Sequence, residues 1–89
     1  MPKTYSDAER AYIQKRLLEE AEDCLLHFGV KRTTVDELVR RVQIPKGSFY
    51  LFYGTKEQLL FEVLLLQHDR MEKQLLAEIE GLHGEAAVE

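Results

Sequence analysis

The sequence lacks most features of membrane, secreted or disulfide-bonded proteins. Its longest run of purely apolar residues is the four-residue stretch Val63 to Leu66, which is far too short to span a bilayer. The single cysteine, Cys24, has no second cysteine to pair with, which agrees with a reducing compartment. The first ten residues, MPKTYSDAER, contain no apolar core of a secretory signal. We therefore expect a cytoplasmic protein without membrane contact.

Residues suited to catalysis or metal binding are also scarce. The three histidines, His27, His68 and His83, are far apart and form no i,i+4 pair of the kind that binds zinc. Cys24 lies within an apolar stripe and has no obvious histidine partner, so a buried structural thiol is the better interpretation. The sequence also lacks a glycine-rich phosphate loop. We expect no enzymatic activity, no catalytic residue, no cofactor and no metal.

What is present predicts an all-α domain. The 89 residues suffice for one small domain, and 45% hydrophobic with 31% charged residues suits a folded globular chain. Two prolines, five glycines and few β-branched residues make a sheet unfavourable. The fold class predicted is a bundle of about four helices, in which a homeodomain-like three-helix core precedes a long fourth helix.

Capping residues, glycines and prolines indicate where each helix begins and ends. Ser6 with Glu9 forms a capping box, and Gly29 suits the position after a helix end, so the first helix should cover 6–28. Thr34 with Glu37 opens a second helix, 34–42. Pro45 favours the start of a third helix, 46–52.

The fourth helix should start at Thr55, whose capping partner is Gln58, and end near residue 80, because Gly81 and Gly84 follow. The domain boundaries predicted are therefore 1–60 for a DNA-binding helix-turn-helix, 55–80 for the fourth helix and 81–89 for a frayed C-terminus. Two short helices joined by about three residues are typical of a helix-turn-helix.

Charge is distributed unevenly along the chain. Its net charge is -4, yet residues 31–56 carry +4 and the remainder -8. A basic face on an acidic body favours a nucleic-acid partner, although chance clustering on a solvated surface would look the same.

The second short helix of such a motif enters the major groove of DNA, and its N-terminal residues face the bases. The candidate DNA-binding residues are Thr34, Lys46, Gly47, Ser48, Tyr50 and Lys56. A lysine can donate to guanine, hydroxyls can bond base edges or phosphates, and a glycine permits close approach. Ile44, Phe49, Tyr53 and Leu59 are expected to face inward, whereas the orientation of Phe52 is left open.

The segments TTVDELV and IPKGSFYLFYGTKEQLL resemble the N-terminal DNA-binding domain of TetR/AcrR-type transcriptional regulators. The resemblance covers about residues 10–65 without gaps. It implies sequence-specific binding of operator DNA by a prokaryotic, nucleoid-associated repressor that acts as a homodimer. Several positions depart from the family pattern, including Val39 and Pro45. Gln43 replaces the glycine of the turn, and Leu51 and Phe52 cannot donate the phosphate contact that a histidine or tyrosine nearby makes in many relatives.

The fourth helix is apolar on more than one side. Leu59 to Val63 are expected to form core, while the stripe of Leu64, Met71, Leu75, Ile79 and Leu82, with His68 inside it, is expected to contact a partner. That partner would be a second copy or a C-terminal ligand domain, and we expect no effector site within this chain. The alternative function is a helical protein-interaction or dimerisation module with weak or no DNA binding.

Overall fold

The computed structural model describes residues 5–88, with side chains over residues 5–82, and these form four helices. The helices are α1 (Asp7–Arg32), α2 (Val35–Val42), α3 (Lys46–Phe49) and α4 (Lys56–Val88). The all-α fold predicted from the sequence is confirmed. No helix of this described part is long and apolar enough to cross a membrane.

Helix α1 starts with the capping box that the sequence predicts. The Ser6 side chain accepts from the backbone N–H of Glu9, and the Glu9 carboxylate accepts from the N–H of Ser6. The predicted end at residue 28 is only half right. Gly29 interrupts the helix at φ 79 and ψ 176, a conformation essentially restricted to glycine, but one more turn follows to Arg32. The Thr33 hydroxyl stabilises this turn by donating to the Gly29 carbonyl at 2.8 Å.

The turn between α2 and α3 depends on Gln43, which adopts the left-handed conformation at φ 65 and ψ 46. The backbone N–H groups of Gln43 and Ile44 both donate to the Val39 carbonyl, at 2.8 and 3.1 Å. Gln43 therefore has positive φ at the position where the family pattern has the glycine of the turn. A residue with a Cβ is strained there, which explains why glycine is preferred in such turns.

We expect the substitution Gln43→Gly to raise the free energy of unfolding by about 0.5–1 kcal/mol, because glycine adopts positive φ without steric cost. Urea denaturation followed by circular dichroism measures this change. The same substitution at Gln67, in the middle of α4, should instead destabilise the protein by about 1 kcal/mol. Equal destabilisation by both substitutions would contradict strain at Gln43.

Helix α3 is shorter than predicted, and ends at Phe49 instead of residue 52. Beyond it, Leu51 and Phe52 donate to the carbonyls of Ser48 and Phe49, which tightens the chain into a turn of i→i+3 hydrogen bonds. The turn aims Phe49 into the core, where none of its surface is exposed.

The core lies where α1, α2 and α3 meet the first two turns of α4. Its largest fully buried side chains are Phe49, Leu17, Leu38, Leu59, Val63, Thr33 and Cys24. Cys24 is a buried free thiol, as predicted, and burial raises its pKa above the ordinary value. Ile44 is half-buried and Tyr53 buried, so the residues predicted to face inward do so.

Helix α4 continues to Val88, past the predicted end near residue 80. Glycine inside a helix costs only about 1 kcal/mol, and both Gly81 and Gly84 lie inside α4. Leu59, Leu60 and Val63 pack on the core, whereas the side chains from Leu64 to Leu66 and from His68 to Leu82 are exposed.

An ionic cluster around Arg41 joins α2 to α1. The Arg41 guanidinium donates to Glu37 of its own helix and to Glu20 and Asp23 of α1, at 2.9, 3.3 and 2.7 Å. It also lies 5.9 Å from the ring centre of Phe28. Hydrogen bonds from Arg41 lower the pKa values of Asp23 and Glu37, and Arg40 contributes to the shift at Glu37.

The cluster predicts a loss of stability in acid. Because the folded-state pKa values of Asp23 and Glu37 are lowered, their contribution is present at neutral pH and is lost as the pH falls below about 5 towards those values. In Arg41→Gln, the loss of unfolding free energy between neutral and acid pH should be smaller than in the native protein. Arg40→Gln removes only an exposed contact to Glu37, so most of that pH-dependent loss should remain. Urea midpoints measured across this pH range test the difference. Identical pH profiles for Arg41→Gln and the native protein would contradict it.

Candidate nucleic-acid interface

The predicted DNA-binding residues meet at an open groove between the N-termini of α2 and α4. Its lining residues are Thr34, Val35, Asp36, Lys46, Tyr50, Gly54, Thr55, Lys56 and Glu57. Helix α3 contributes Lys46 to this groove, and Tyr50 follows directly after the helix. Four of the six predicted residues therefore line one surface, namely Thr34, Lys46, Tyr50 and Lys56.

Two helix N-termini open on this groove. The hydroxyl of Thr34 accepts from the N–H of Glu37 at 3.2 Å, and that of Thr55 accepts from the N–H of Gln58 at 3.1 Å. The Gln58 side chain in turn accepts from the N–H of Gly54 at 2.8 Å. Helix N-termini carry partial positive charge and free N–H groups, so they attract anions such as phosphates.

Lys46 and Gly47 form the exposed start of α3. The Lys46 ammonium lies 3.1 Å from the Asp36 carboxylate, and this contact raises the pKa of Lys46. Both side chains remain more than half exposed, so the pair can open when a stronger anion arrives. A Cβ built on Gly47 meets no atom within 4 Å, and nothing in the fold itself therefore requires glycine there.

Tyr50 lies on the same surface. Its side chain is 52% exposed, and its ring packs edge-on against Phe49 at a centroid distance of 5.3 Å. Anchored in this way, its hydroxyl is available to an external partner.

Ser48 does not face outward, and this prediction is wrong. It is buried, and its hydroxyl lies 2.9 Å from the hydroxyl of Tyr5. Phe52, whose orientation was open, is half-buried beside the same tyrosine, with a ring distance of 6.3 Å. The Arg10 guanidinium covers Phe52 at 5.5 Å from the ring centre, so Phe52 belongs to the packing behind α3.

Tyr5 is a positioning residue that the sequence analysis missed. It is buried, and it links the segment before α1 to α3 across 43 positions of sequence. An aromatic residue directly before the cap Ser6 was the available signal, because apolar residues at this place frequently fix the entry of a helix.

We expect Tyr5→Phe to destabilise the protein by about 1 kcal/mol, because the buried Ser48 hydroxyl loses its partner. The double variant with Ser48→Ala should recover most of this loss, since no polar group is then left unpaired. Urea denaturation of both single variants and the double variant gives the coupling. If the losses of unfolding free energy in the two single variants simply added in the double variant, the contact between the Tyr5 and Ser48 hydroxyls would be contradicted.

Lys56 is less exposed than Lys46, the other candidate lysine. Its ammonium donates to the Val30 carbonyl at 3.1 Å, and only 20% of its side chain is exposed. Lys56 therefore ties the last turn of α1 to the start of α4, and its charge is not freely presented. Within residues 5–82, Lys31 and Arg32 of that last turn are exposed and have no ion-pair partner, so they are the freer cations.

The helix-turn-helix geometry can be compared with that of known protein families. The profile of "Bacterial regulatory proteins, tetR family" matches residues 17–63, which is more than half of the chain. No solved structure gives a significant match. The chain belongs to the tetR family of bacterial regulatory proteins.

Individual relatives agree with this placement. AcnR of Corynebacterium jeikeium, a transcriptional repressor, is 35% identical over 85 residues, which is 94% of this chain and 43% of AcnR. YuxN of Bacillus subtilis, an uncharacterised transcriptional regulator, is 30% identical over 63 residues, or 71% of this chain and 22% of YuxN. QacR of Staphylococcus aureus, a transcriptional regulator, is 27% identical over 62 residues, or 70% and 33%. The chain spans less than half the length of these relatives.

Proposed function

We propose that the chain binds double-stranded operator DNA in a sequence-specific manner and acts in the bacterial cytoplasm as a transcriptional repressor. The observation that carries this proposal is the groove in which α3 presents Lys46 and Gly47 between two capped helix N-termini. Family membership and the names of the relatives support it.

In this proposal α3 enters the major groove. Lys46 leaves Asp36 and donates to a base edge, while Gly47 lets the backbone approach closely. Tyr50 bonds a base or a phosphate. The N-termini that Thr34 and Thr55 cap hold phosphates on either side of α3, with Lys31 and Arg32 as additional cations.

We further propose that the protein reads its operator as a homodimer. Two recognition helices would then contact half-sites about 34–36 Å apart, or a multiple of that distance. Two linked half-sites bind far more tightly than one, because the second contact becomes intramolecular.

One observation favours a protein-interaction module as a second candidate. The cations Arg40, Arg41, Lys46 and Lys56 are each already held by an acidic side chain or a backbone carbonyl. A surface whose charges are neutralised internally attracts phosphate weakly, so DNA binding would be weak or absent.

Selection from a random duplex library separates the two candidates. The native chain should enrich a defined sequence, and Lys46→Ala should relax the base preference at one position by about 1–3 kcal/mol. Lys15→Ala, an exposed lysine on α1, is the matched control and should enrich the same sequence as the native chain. If selection with the native chain enriched no sequence from the random library, the protein-interaction module would be favoured.

A further inference from the structure

An acidic side chain lies on the surface that the proposed function assigns to DNA. Asp36, in the first turn of α2, lines the same groove as Lys46 and Tyr50. Its side chain is 75% exposed, and its carboxylate lies 3.1 Å from the ammonium of Lys46, which starts α3. This ion pair therefore connects the two short helices of the helix-turn-helix on the surface proposed to bind DNA.

The stability of the fold does not account for this carboxylate. An ion pair as exposed as Asp36 with Lys46 contributes little to folding, because water and salt screen its charges. The neighbouring Glu37 differs, since it binds Arg40 and Arg41 and belongs to the ionic cluster between α2 and α1. A carboxylate that faces phosphates also weakens binding to every DNA sequence, because like charges repel. The position of Asp36 is explained if its carboxylate accepts a hydrogen bond from the bound DNA.

A base pair of guanine and cytosine presents the groups that this ion pair can bind. In the major groove guanine presents two acceptors, O6 and N7, and its cytosine presents the N4 amino donor. An ammonium has only donors, and an ionised carboxylate has only acceptors. Guanine O6 and cytosine N4 are hydrogen-bonded to each other, so they lie about 2.9 Å apart. The 3.1 Å between the Lys46 ammonium and the Asp36 carboxylate matches this spacing.

We propose that Asp36 is a specificity-determining residue and that Asp36 and Lys46 together read one oriented G·C base pair. The inference rests on the proposed function and adds the identity of one base pair to it. Lys46 leaves Asp36 and donates to guanine, while the freed carboxylate accepts from the cytosine amino group. Both charges therefore stay hydrogen-bonded in the complex, whereas a carboxylate left unpaired would cost affinity.

The orientation of the base pair matters as much as its composition. A reversed C·G pair places the amino donor against Lys46 and the two acceptors against Asp36, so neither contact forms. A T·A pair keeps one acceptor towards Lys46 and a donor towards Asp36, but it lacks the second acceptor and adds a methyl group. We therefore expect G·C to bind best, T·A less well and the reversed C·G pair worst.

The random-library selection described above gives the first test. Asp36→Ala should relax the base preference at the same position as Lys46→Ala, because the two side chains read the same base pair. Glu57→Ala is the matched control, since it removes another exposed carboxylate from the same groove, and it should enrich the native sequence. Relaxation at a different position, or at none, in Asp36→Ala would overturn the inference while leaving operator binding intact. A native chain that enriches no sequence would instead contradict the proposed function itself, and the inference with it.

Fluorescence anisotropy with two duplexes gives a second test, which separates base reading from a purely electrostatic role of Asp36. One duplex carries the selected sequence, and the other has this single base pair reversed. The native chain should bind the reversed duplex at least about tenfold more weakly. In Asp36→Ala this ratio should fall at least about threefold, because only the preference of Lys46 for guanine remains. Glu57→Ala should keep the native ratio.

Removal of a charge by itself changes the affinity for both duplexes alike. An unchanged ratio in Asp36→Ala, with circular dichroism showing that the variant is folded, would therefore overturn the inference. A native chain that binds the two duplexes equally well would overturn it too.

Discussion

Replacement of Phe49 by alanine is expected to lower the free energy of unfolding by about 3–5 kcal/mol, which is enough to unfold much of the protein at room temperature. Phe49 is fully buried and is the central apolar anchor of a four-residue helix. Its ring packs against Tyr50 and Tyr53 at centroid distances of 5.3 and 6.0 Å. A domain of this size has a marginal core, so it cannot absorb a cavity as large as a phenyl ring.

Phe61→Ala is the matched control for this experiment. It makes the same chemical change on α4, at a side chain that is 62% exposed. Its unfolding free energy should remain within about 0.5 kcal/mol of the native value when the protein is dilute. Urea denaturation of both variants, followed at 222 nm, gives the comparison. Similar losses for the two variants would contradict the core assigned to Phe49.

The second large effect concerns DNA binding. Gly47→Glu should weaken the binding of the selected operator by at least about 100-fold, because a long anionic side chain would stand between α3 and the phosphates. The fold should tolerate the change, since a Cβ at this position meets open space and glutamate favours a helix more than glycine does. Gly47→Glu is therefore expected to lose affinity for DNA without losing unfolding free energy.

Gly81→Glu provides the control, because Gly81 also opens on free space but lies on α4, far along the chain from α3. Its affinity for the operator should stay within about threefold of the native value, as the added charge is distant and screened by salt. Fluorescence anisotropy with the selected duplex measures both affinities. Native affinity in Gly47→Glu would exclude the start of α3 from the interface.

Much of the fold is predictable from the sequence because its determinants are local. The caps at Ser6, Thr34 and Thr55 act within three residues, and their hydrogen bonds are all present. The left-handed conformation at Gln43 occurs at the position where the family that the sequence resembles has the glycine of the turn. The buried face of α4 follows from the interval between Leu59 and Val63.

The features that the sequence did not predict are contacts between distant parts of the chain. The burial of Ser48 depends on Tyr5, and the bond from Lys56 depends on the Val30 carbonyl, 26 positions away. Residue type alone does not indicate whether a serine faces a tyrosine or solvent. The third helix is a single turn, so it has too few residues for an apolar period to show which side faces inward.

The length of α4 shows a different limit. Gly81 and Gly84 are strong signals for a helix end, but they act only through a propensity of about 1 kcal/mol each. A helix that already extends from Lys56 needs no new nucleation, so it can pass through both glycines.

The most direct test of the central claim, that the α3 surface binds duplex DNA, is the salt dependence of binding by the native chain. Anisotropy titrations of a fluorescent duplex should give an affinity that falls steeply between about 50 and 200 mM salt, with a log–log slope of about -0.9 for each phosphate neutralised. The same titration with Gly47→Glu should show little binding at any salt concentration. Failure of the native chain to bind duplex DNA even at the lowest salt concentration would contradict a DNA-binding role for the α3 surface.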